Sequence, residues 1–230
     1  MRKVLIVLTA VVSLSVGGSR VIWAQVDHVP PAVLPDSPAP VTPFTLKDRF
    51  RLEAHTTFGP AALLIPAVSA GITMADPPDH YPREWRDGGG AFGRNYGALL
   101  ARHTAGGVTH FAVAAVDHED PRYYSSLSRN YGARAWHAVL FTAVDRNMSG
   151  HRTLAVSNLT GSVAAGFVGN AYYPSGFSDG THAGQRTIWE FSTFAGHNLT
   201  SEFSPEIGKL LHKAHVPDFV VRAFLPNDRK

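Results

Sequence analysis

The segment 116–124, VDHEDPRYY, holds the densest group of chemically versatile side chains in the sequence. Its imidazole and carboxylates, on His118, Glu119 and Asp120, are followed closely by the guanidinium of Arg122. Such groups can exchange protons with a substrate, which is what general acid–base catalysis requires. The same residues can instead be structural, with Asp120 capping a helix and Arg122 pairing with a carboxylate to fix a turn. The sequence leaves both interpretations open.

A second polar segment, 145–152 (DRNMSGHR), contains Asp145 and His151. Ser149 lies close to His151, but a serine nucleophile is typically presented by a GxSxG turn between a strand and a helix, and that motif is absent. The segment Ser149–His151 is therefore typical of an exposed turn. If successive helices alternate in direction, the polar loops 76–90, 117–124, 145–152 and 174–182 can gather at one site. The catalytic candidates of such a hydrolase are His118, Asp120, Arg122, Asp145 and His151.

The twelve histidines are not spaced as metal ligands usually are. A zinc site needs three or four converging ligands, and neither HExxH nor HxH occurs. His103 and His110 share a helix face, yet they lie two turns, about 10 Å, apart. The run Gly88–Gly93 follows a polar loop rather than a strand, so it lacks the context of a dinucleotide-binding or phosphate-binding loop. We expect no metal and no cofactor.

Small side chains recur at every fourth position along three stretches of the chain. Positions four apart share one helix face, so each stretch predicts a smooth surface on which a neighbouring backbone can lie closely. Glycine inside a helix costs about 1 kcal/mol relative to alanine, and close packing is the usual way to offset that cost. The three ladders are Ala67, Gly71 and Ala75; Gly93, Gly97, Ala101 and Ala105; and Ser157, Gly161, Ala165 and Gly169.

Apolar periodicity and capping residues predict helices, while the period-two alternation of strands is nearly absent. The predicted helices are 46–55 (capped by Thr45), 60–75, 91–115, 131–144, 154–172, 181–203 and 207–215. We therefore expect an all-α bundle of about six or seven Gly/Ala-rich helices. The apolar stretch 61–75 is near the lower limit for spanning a bilayer. A buried core or interfacial helix is the favoured interpretation, and a membrane span is the alternative.

The pentapeptide RNYGA occurs twice, at 94–98 and at 129–133. Each copy is predicted to open an apolar helix that ends in Ala-Val-Asp. An old duplication of a helix pair and a shared packing demand both explain this repeat.

The N-terminal residues 1–24 have the features of a secretory signal peptide. Basic Arg2 and Lys3 precede a short apolar run, 4–16, and a cleavage site lies before Gln25. An uncleaved anchor is the alternative. Residues 25–43 contain six prolines and predict an extended or disordered tether. Residues 44–230 are then long enough for a single helical domain.

The charge of the chain argues against nucleic acid as a partner. The full sequence carries a formal charge of +3 at pH 7. Three of its 21 basic residues, Arg2, Lys3 and Arg20, lie in the leader, which leaves 18 against 18 acidic residues. A mature chain without net charge lacks the electrostatic basis for binding a phosphate backbone.

Four further blocks are GGGAFGRNYGA (88–98), DPRYY (120–124), SNLTGSVAAGFVGNAYYP (157–174) and EFSPEI (202–207). Through these blocks the chain resembles an uncharacterised family of exported bacterial envelope proteins with Gly-rich helices. The blocks occur in order and span roughly 44–212. The resemblance implies a Gly-rich helical domain in the cell envelope, and it implies no activity, ligand or catalytic residue. His118 and Glu119 depart from the simpler polar pair of that family.

Together these features predict an exported protein in the periplasm or at the outer membrane. The small-residue ladders favour a non-enzymatic, membrane-associated or scaffolding role, because such surfaces suit helix contacts in lipid. The expected partners are envelope proteins or membrane lipid. The charged side chains of two helices argue for partial exposure to water; they are Lys47, Asp48, Arg49, Arg51 and Glu53, with Lys209 and Lys213. The periplasmic hydrolase is the alternative function.

Overall fold

The structure is a computed structural model that describes residues 45–218, 220, 221 and 225. This part of the chain is all-α apart from one two-stranded hairpin, as the sequence predicts. The expected signal peptide and proline-rich tether lie outside the described residues. In chain order the elements are α1 (Leu46–Phe58), α2 (Pro60–Ala75), α3 (Arg83–Arg86), α4 (Gly88–Val116), α5 (Tyr131–Leu140), β1 (Val144–Arg146), β2 (Arg152–Leu154), α6 (Val156–Val168) with a 3-10 turn (Gly169–Ala171), α7 (Gly180–Glu202) and α8 (Ser204–Lys213).

Local sequence explains where several helices begin. Thr45 caps α1 in a reciprocal capping box, in which Asp48 N–H donates to the threonine hydroxyl and the Asp48 carboxylate accepts from Thr45 N–H. Gly59 separates α1 from α2, and Pro60 occupies the first position of α2, where no backbone donor is needed. The Asn130 side chain accepts from Ala133 N–H and caps α5.

The predicted helix 131–144 is too long, because α5 ends at Leu140 and residues 144–146 form strand β1. This strand pairs antiparallel with β2 in the register Val144–Leu154 and Arg146–Arg152. Leu154, the predicted first residue of the next helix, is the last residue of β2, so α6 begins at Val156. Sequence periodicity does not detect strands of three residues, since an alternation of period two is recognised only over four residues or more.

Contacts group the described residues into two compact units, where one domain was expected. Of the described residues, the larger unit draws on 45–122 and 142–191, and the smaller unit on 123–141, 192–218, 220, 221 and 225. In the larger unit α4 and α6 pack antiparallel, and α1 and α2 also lie against α4. The smaller unit contains α5, α8 and the last part of α7.

Beside a small aromatic cluster around Tyr81 and Trp85, the buried residues of the described part are mostly small or polar. Alanines such as Ala70, Ala91 and Ala165 are wholly buried, and the largest fully buried side chains are all polar. Those side chains are His137, Glu119, Glu202, Thr57, Thr142, Ser157 and Ser162. Large apolar side chains are exposed along several helices, which reverses the usual pattern of a water-soluble core. Leu63, Leu64 and Ile65 of α2 are exposed, which does not fit a buried core helix; the interfacial helix and the membrane span stay predictions.

Candidate functional site

Glu119 supplies the cap that the N-terminus of α6 lacks. No side chain next to α6 caps this helix. The buried Glu119 carboxylate instead accepts from Val156 N–H at 2.9 Å, from Ser157 N–H at 3.3 Å and from the Ser157 hydroxyl. A carboxylate at this position satisfies helix donors and interacts favourably with the helix dipole. Glu119, the middle residue of the sequence His118-Glu119-Asp120, therefore caps the N-terminus of α6.

Asp120 and Arg122 form a closed pair within one turn. Arg122 Nε and Nη2 donate to the two Asp120 carboxylate oxygens at 2.8 and 2.6 Å, and Arg122 N–H donates to the same carboxylate at 3.1 Å. The Asp120 carboxylate is nearly buried, and its backbone N–H donates to Arg146 O at 2.7 Å. This geometry matches the structural interpretation of the turn, because each charged group is engaged by the other.

A cluster of ionisable groups lies beside this turn in the larger unit. Nδ1 of His110 is 3.0 Å from Oε2 of Glu53, and both side chains are mostly buried. Burial by itself lowers the pKa of His110, but the hydrogen bond and charge of Glu53, with Asp145 and Glu119, raise that pKa overall. Burial, with the charges of Glu119 and Asp120, raises the pKa of Asp145 to about 7. This end of the unit can therefore retain protons near neutral pH.

The remaining two candidates, His118 and His151, are exposed. His118 has a positive φ of 56° in a tight turn, and its carbonyl accepts from Met148 N–H at 2.9 Å. His151 N–H donates to Oδ1 of Asn147 at 3.0 Å in the hairpin turn. The structure thus brings the segments 117–122 and 145–152 together through their backbones. It does not place the two imidazoles in the buried cluster.

The other two polar loops, 76–90 and 174–182, meet around the first turns of α4. The Trp85 ring stacks on Tyr173 with centroids 5.5 Å apart, and Tyr81 packs edge-on against Phe177 at 5.1 Å. The Tyr172 hydroxyl donates to Ala98 O at 3.0 Å, and burial raises its pKa to about 12. The four loops therefore form two separate groups near opposite ends of α4, whose 29 residues span about 43 Å.

Arg186 connects this aromatic group to the end of α6. It donates to Gly166 O at 2.9 Å, to Phe177 O at 2.7 Å and to the Asn170 side chain. Its guanidinium carbon also lies 4.9 Å from the centre of the Tyr173 ring, a cation–π distance. Two residues of the sequence NAYYP (170–174), Asn170 and Tyr173, thus contact the partly buried Arg186.

An open cleft of about 520 Å³ lies beside the aromatic group. Its lining consists of Glu84, Trp85, Gly93, Arg94, Gly97, Ala98 and Tyr172. Trp85 is largely buried against Tyr173, and Arg94 Nη1 donates to Glu84 O at 2.7 Å. Among the side chains around the cleft, those of Trp85, Arg94 and Tyr172 are thus already engaged by the protein.

The third small-residue ladder lies in the contact between α4 and α6. Ser157, Gly161, Ala165 and Gly169 are all buried. A Cβ on Gly161 would lie 3.0 Å from Gly106 O and 3.2 Å from His110 Cβ. A glycine outside the ladder, Gly166, is tighter still, because its Cβ would meet Ala183 O at 2.6 Å and Thr187 N at 2.8 Å.

The other two ladders do not pack as expected at their glycines. A Cβ on Gly71, Gly93 or Gly97 would meet nothing within 4 Å among the described residues. Helix α2 instead buries Ala62, Pro66 and Ala70, which lie one position before the predicted ladder. A single position rotates a helix by about 100°, so the predicted face is turned away from α4.

The smaller unit contains a second buried carboxylate. Glu202 is fully buried, and its Oε1 accepts from Arg134 Nε at 2.8 Å. Its Oε2 accepts from the Tyr123 hydroxyl at 2.8 Å and from Ser126 N–H at 2.9 Å. The Tyr123 oxygen is also 3.0 Å from Nδ1 of the buried His137. Hydrogen bonds from Glu206, first, and Glu202 raise the pKa of Arg134, so this guanidinium stays charged.

These arrangements hold charge inside the protein, and none of them presents a nucleophile or a ligand set for a metal. Within residues 45–218 and the three described positions beyond them, no group of three His, Asp or Glu side chains is arranged to bind a metal ion. Sequence reasoning missed Glu53, Glu119, Arg134, Arg186 and Glu202 as organising residues. For Arg134 and Glu202 the sequence signal was a charge in a largely uncharged helical segment, whereas Glu53 and Glu119 lie in segments rich in charged residues.

Comparison with known proteins gives no match: no family model, no curated protein and no solved structure matches this chain. The resemblance to exported Gly-rich envelope proteins therefore stays a prediction.

Proposed function

We propose that this protein is a non-enzymatic helical protein of the cell envelope that associates with a membrane through the segment Leu46–Ala75. The observation that carries the proposal is the reversed polarity of the larger unit, with charged and small residues inside and large aliphatic residues outside. In water this arrangement costs free energy, whereas in lipid it satisfies both surfaces. Export through a signal peptide would deliver the mature chain to such a membrane.

The segment Leu46–Ala75 has the composition this role requires. In the part of the chain that the structure describes, it is the one helical run long and apolar enough to cross a membrane. Helix α2 carries no charged residue, and only Ala62, Pro66 and Ala70 are buried. Leu64, Ile65 and Val68 expose 51%, 48% and 38% of their surface. An apolar face of this kind favours insertion at the boundary of headgroups and acyl chains or deeper.

Flotation of the purified mature protein with phospholipid vesicles tests the proposal. We expect the wild type to float with the vesicles and to resist extraction by carbonate and urea. The double variant Leu64→Glu/Val68→Glu should partition at least about tenfold less, because it introduces two charges on the apolar face. Leu127→Glu/Leu210→Glu is the matched control, because both positions are exposed leucines in the smaller unit. A wild-type protein that stays unbound with every vesicle composition would overturn the proposal.

A further inference from the structure

We infer that the exposed face of α1 is a docking surface for anionic lipid headgroups. This inference rests on the proposed membrane association and adds to it the chemistry of the membrane surface. Lys47, Arg51 and His55 are exposed and lie four residues apart, so they form one stripe along α1. We call these three residues the basic stripe.

The acidic residues of α1 are engaged elsewhere. The Asp48 carboxylate accepts from Thr45 N–H at 3.1 Å and from the Thr45 hydroxyl at 2.6 Å, so it serves as part of the capping box. Glu53 is directed toward α4, where it meets His110 at 3.0 Å. Among the described residues, no carboxylate lies within 4.0 Å of the Lys47 ammonium or the Arg51 guanidinium. The Asp48 carboxylate also interacts electrostatically with Arg51 and Lys47 and offsets one of their two positive charges, so one positive charge stays in excess along the stripe.

The inward face of α1 fixes which way this stripe points. Arg49 Nη1 donates to Ala114 O at 2.7 Å, and Thr57 lies where a Cβ on Gly107 would stand. Phe50 meets Phe111 edge-on with centroids 5.9 Å apart. These contacts pin one side of α1 on α4, so the basic stripe on the opposite side stays at the surface.

Apolar side chains flank the basic stripe. Leu46 and Phe50 each expose 63% of their surface, and Phe58 exposes 54%. The apolar helix α2 follows directly after Gly59. Basic side chains immediately next to an apolar membrane-binding helix place their charges at the level of the lipid phosphates. Phosphate-bearing anionic lipids match this surface in charge and in the neighbouring apolar contact.

Vesicle binding at low and high salt tests this inference, with phosphatidylcholine vesicles compared against vesicles that also contain phosphatidylglycerol. We expect phosphatidylglycerol to strengthen wild-type binding by about tenfold or more at low salt, and high salt to remove most of the gain. Lys47→Gln/Arg51→Gln should lose most of this gain. Arg83→Gln/Arg86→Gln removes the same charge from exposed residues of α3 and should keep it. Circular dichroism of each variant verifies that its helical content is unchanged.

The outcomes separate this inference from the proposal on which it rests. Equal binding to both kinds of vesicle would overturn the headgroup surface while leaving membrane association intact. An equal loss in the α3 control would also overturn it, because the effect would then follow net charge rather than the basic stripe. Failure to bind either vesicle would overturn both.

Discussion

The hydroxyl of Ser157, in the first turn of α6, donates to the buried carboxylate of Glu119, which lies 38 positions earlier in the chain and caps this helix. This contact ties the turn after α4 to the N-terminus of α6. It also assigns a structural task to Glu119, in the segment 116–124 that the sequence left open between a structural and a catalytic interpretation.

Glu119→Ala should lower the free energy of unfolding by about 2 kcal/mol, because it leaves the Val156 and Ser157 amides buried without an acceptor. Urea denaturation followed by circular dichroism measures this loss. Asp117→Ala removes a neighbouring exposed carboxylate and should change stability by less than about 0.5 kcal/mol. Equal effects of the two substitutions would contradict a capping role for Glu119.

Two glycines of the larger unit should respond to alanine with opposite signs. Gly166→Ala should destabilise by about 1–3 kcal/mol, because its Cβ would collide with the backbone of α7. Gly97→Ala should stabilise by up to about 1 kcal/mol, because open space surrounds that position and alanine favours the helix. Thermal melting of the two variants beside the wild type measures both signs. A destabilising Gly97→Ala would show that α4 is packed there by a partner.

Stability of the larger unit should fall as pH rises from about 5 to 8. The pKa of His110 is raised in the folded protein, so the stability gained from its protonated form is fully present below the ordinary pKa of 6.5. That stability is lost as pH rises through the folded pKa. The pKa of Asp145 is about 7 in the folded protein and 3.8 ordinarily. As pH rises between those two values, the unfolded chain ionises this carboxyl more readily than the folded one, so the free energy of unfolding falls. Both effects have the same sign. Urea denaturation across this pH range measures the slope, and Asp145→Asn should flatten it. An unchanged slope in that variant would exclude Asp145 as its source.

Arg134→Ala should destabilise the smaller unit by about 3–5 kcal/mol, since the fully buried Glu202 would lose its charged partner. Hydrogen exchange of the α8 amides, 204–213, measures this change locally. Arg129→Ala is the control, because Arg129 is exposed in the same unit and has the same charge. Protection of α8 that is equal in the two variants would contradict the importance of the buried pair.

Much of the helical framework could be predicted from sequence, because long segments with strong local signals decide it. Thr45, Gly59 and Pro60 define the boundaries of α1 and α2 through capping and backbone geometry alone. The repeated RNYGA shows the limit of local sequence. Its first copy lies inside α4, where Asn95 donates to Trp85 O at 2.8 Å, while in the second copy Asn130 caps α5. The same five residues therefore lie inside a helix in one copy and at the start of a helix in the other.

The candidate site was less predictable, because its charges find their partners across long stretches of chain. Sequence spacing suggested one cluster of polar loops, whereas the antiparallel packing of α4 and α6 separates the loops into two groups. The spacing of small residues also suggested that Gly71 and Gly97 pack against a neighbouring helix. The orientation of each helix about its own axis instead leaves those positions open. No local pattern reports that orientation.

The sequence by itself determined the helical class and the positions of most helices to within a few residues, while the signal peptide and the proline-rich tether stay predictions. These properties depend on composition or on residues within a few positions of one another. Only the tertiary structure decided that Glu119 caps α6, that Glu53 meets His110, and that Leu64 and its neighbours face outward. Those outcomes depend on which helix faces meet, and this is settled by the sum of many weak contacts between residues far apart in the chain.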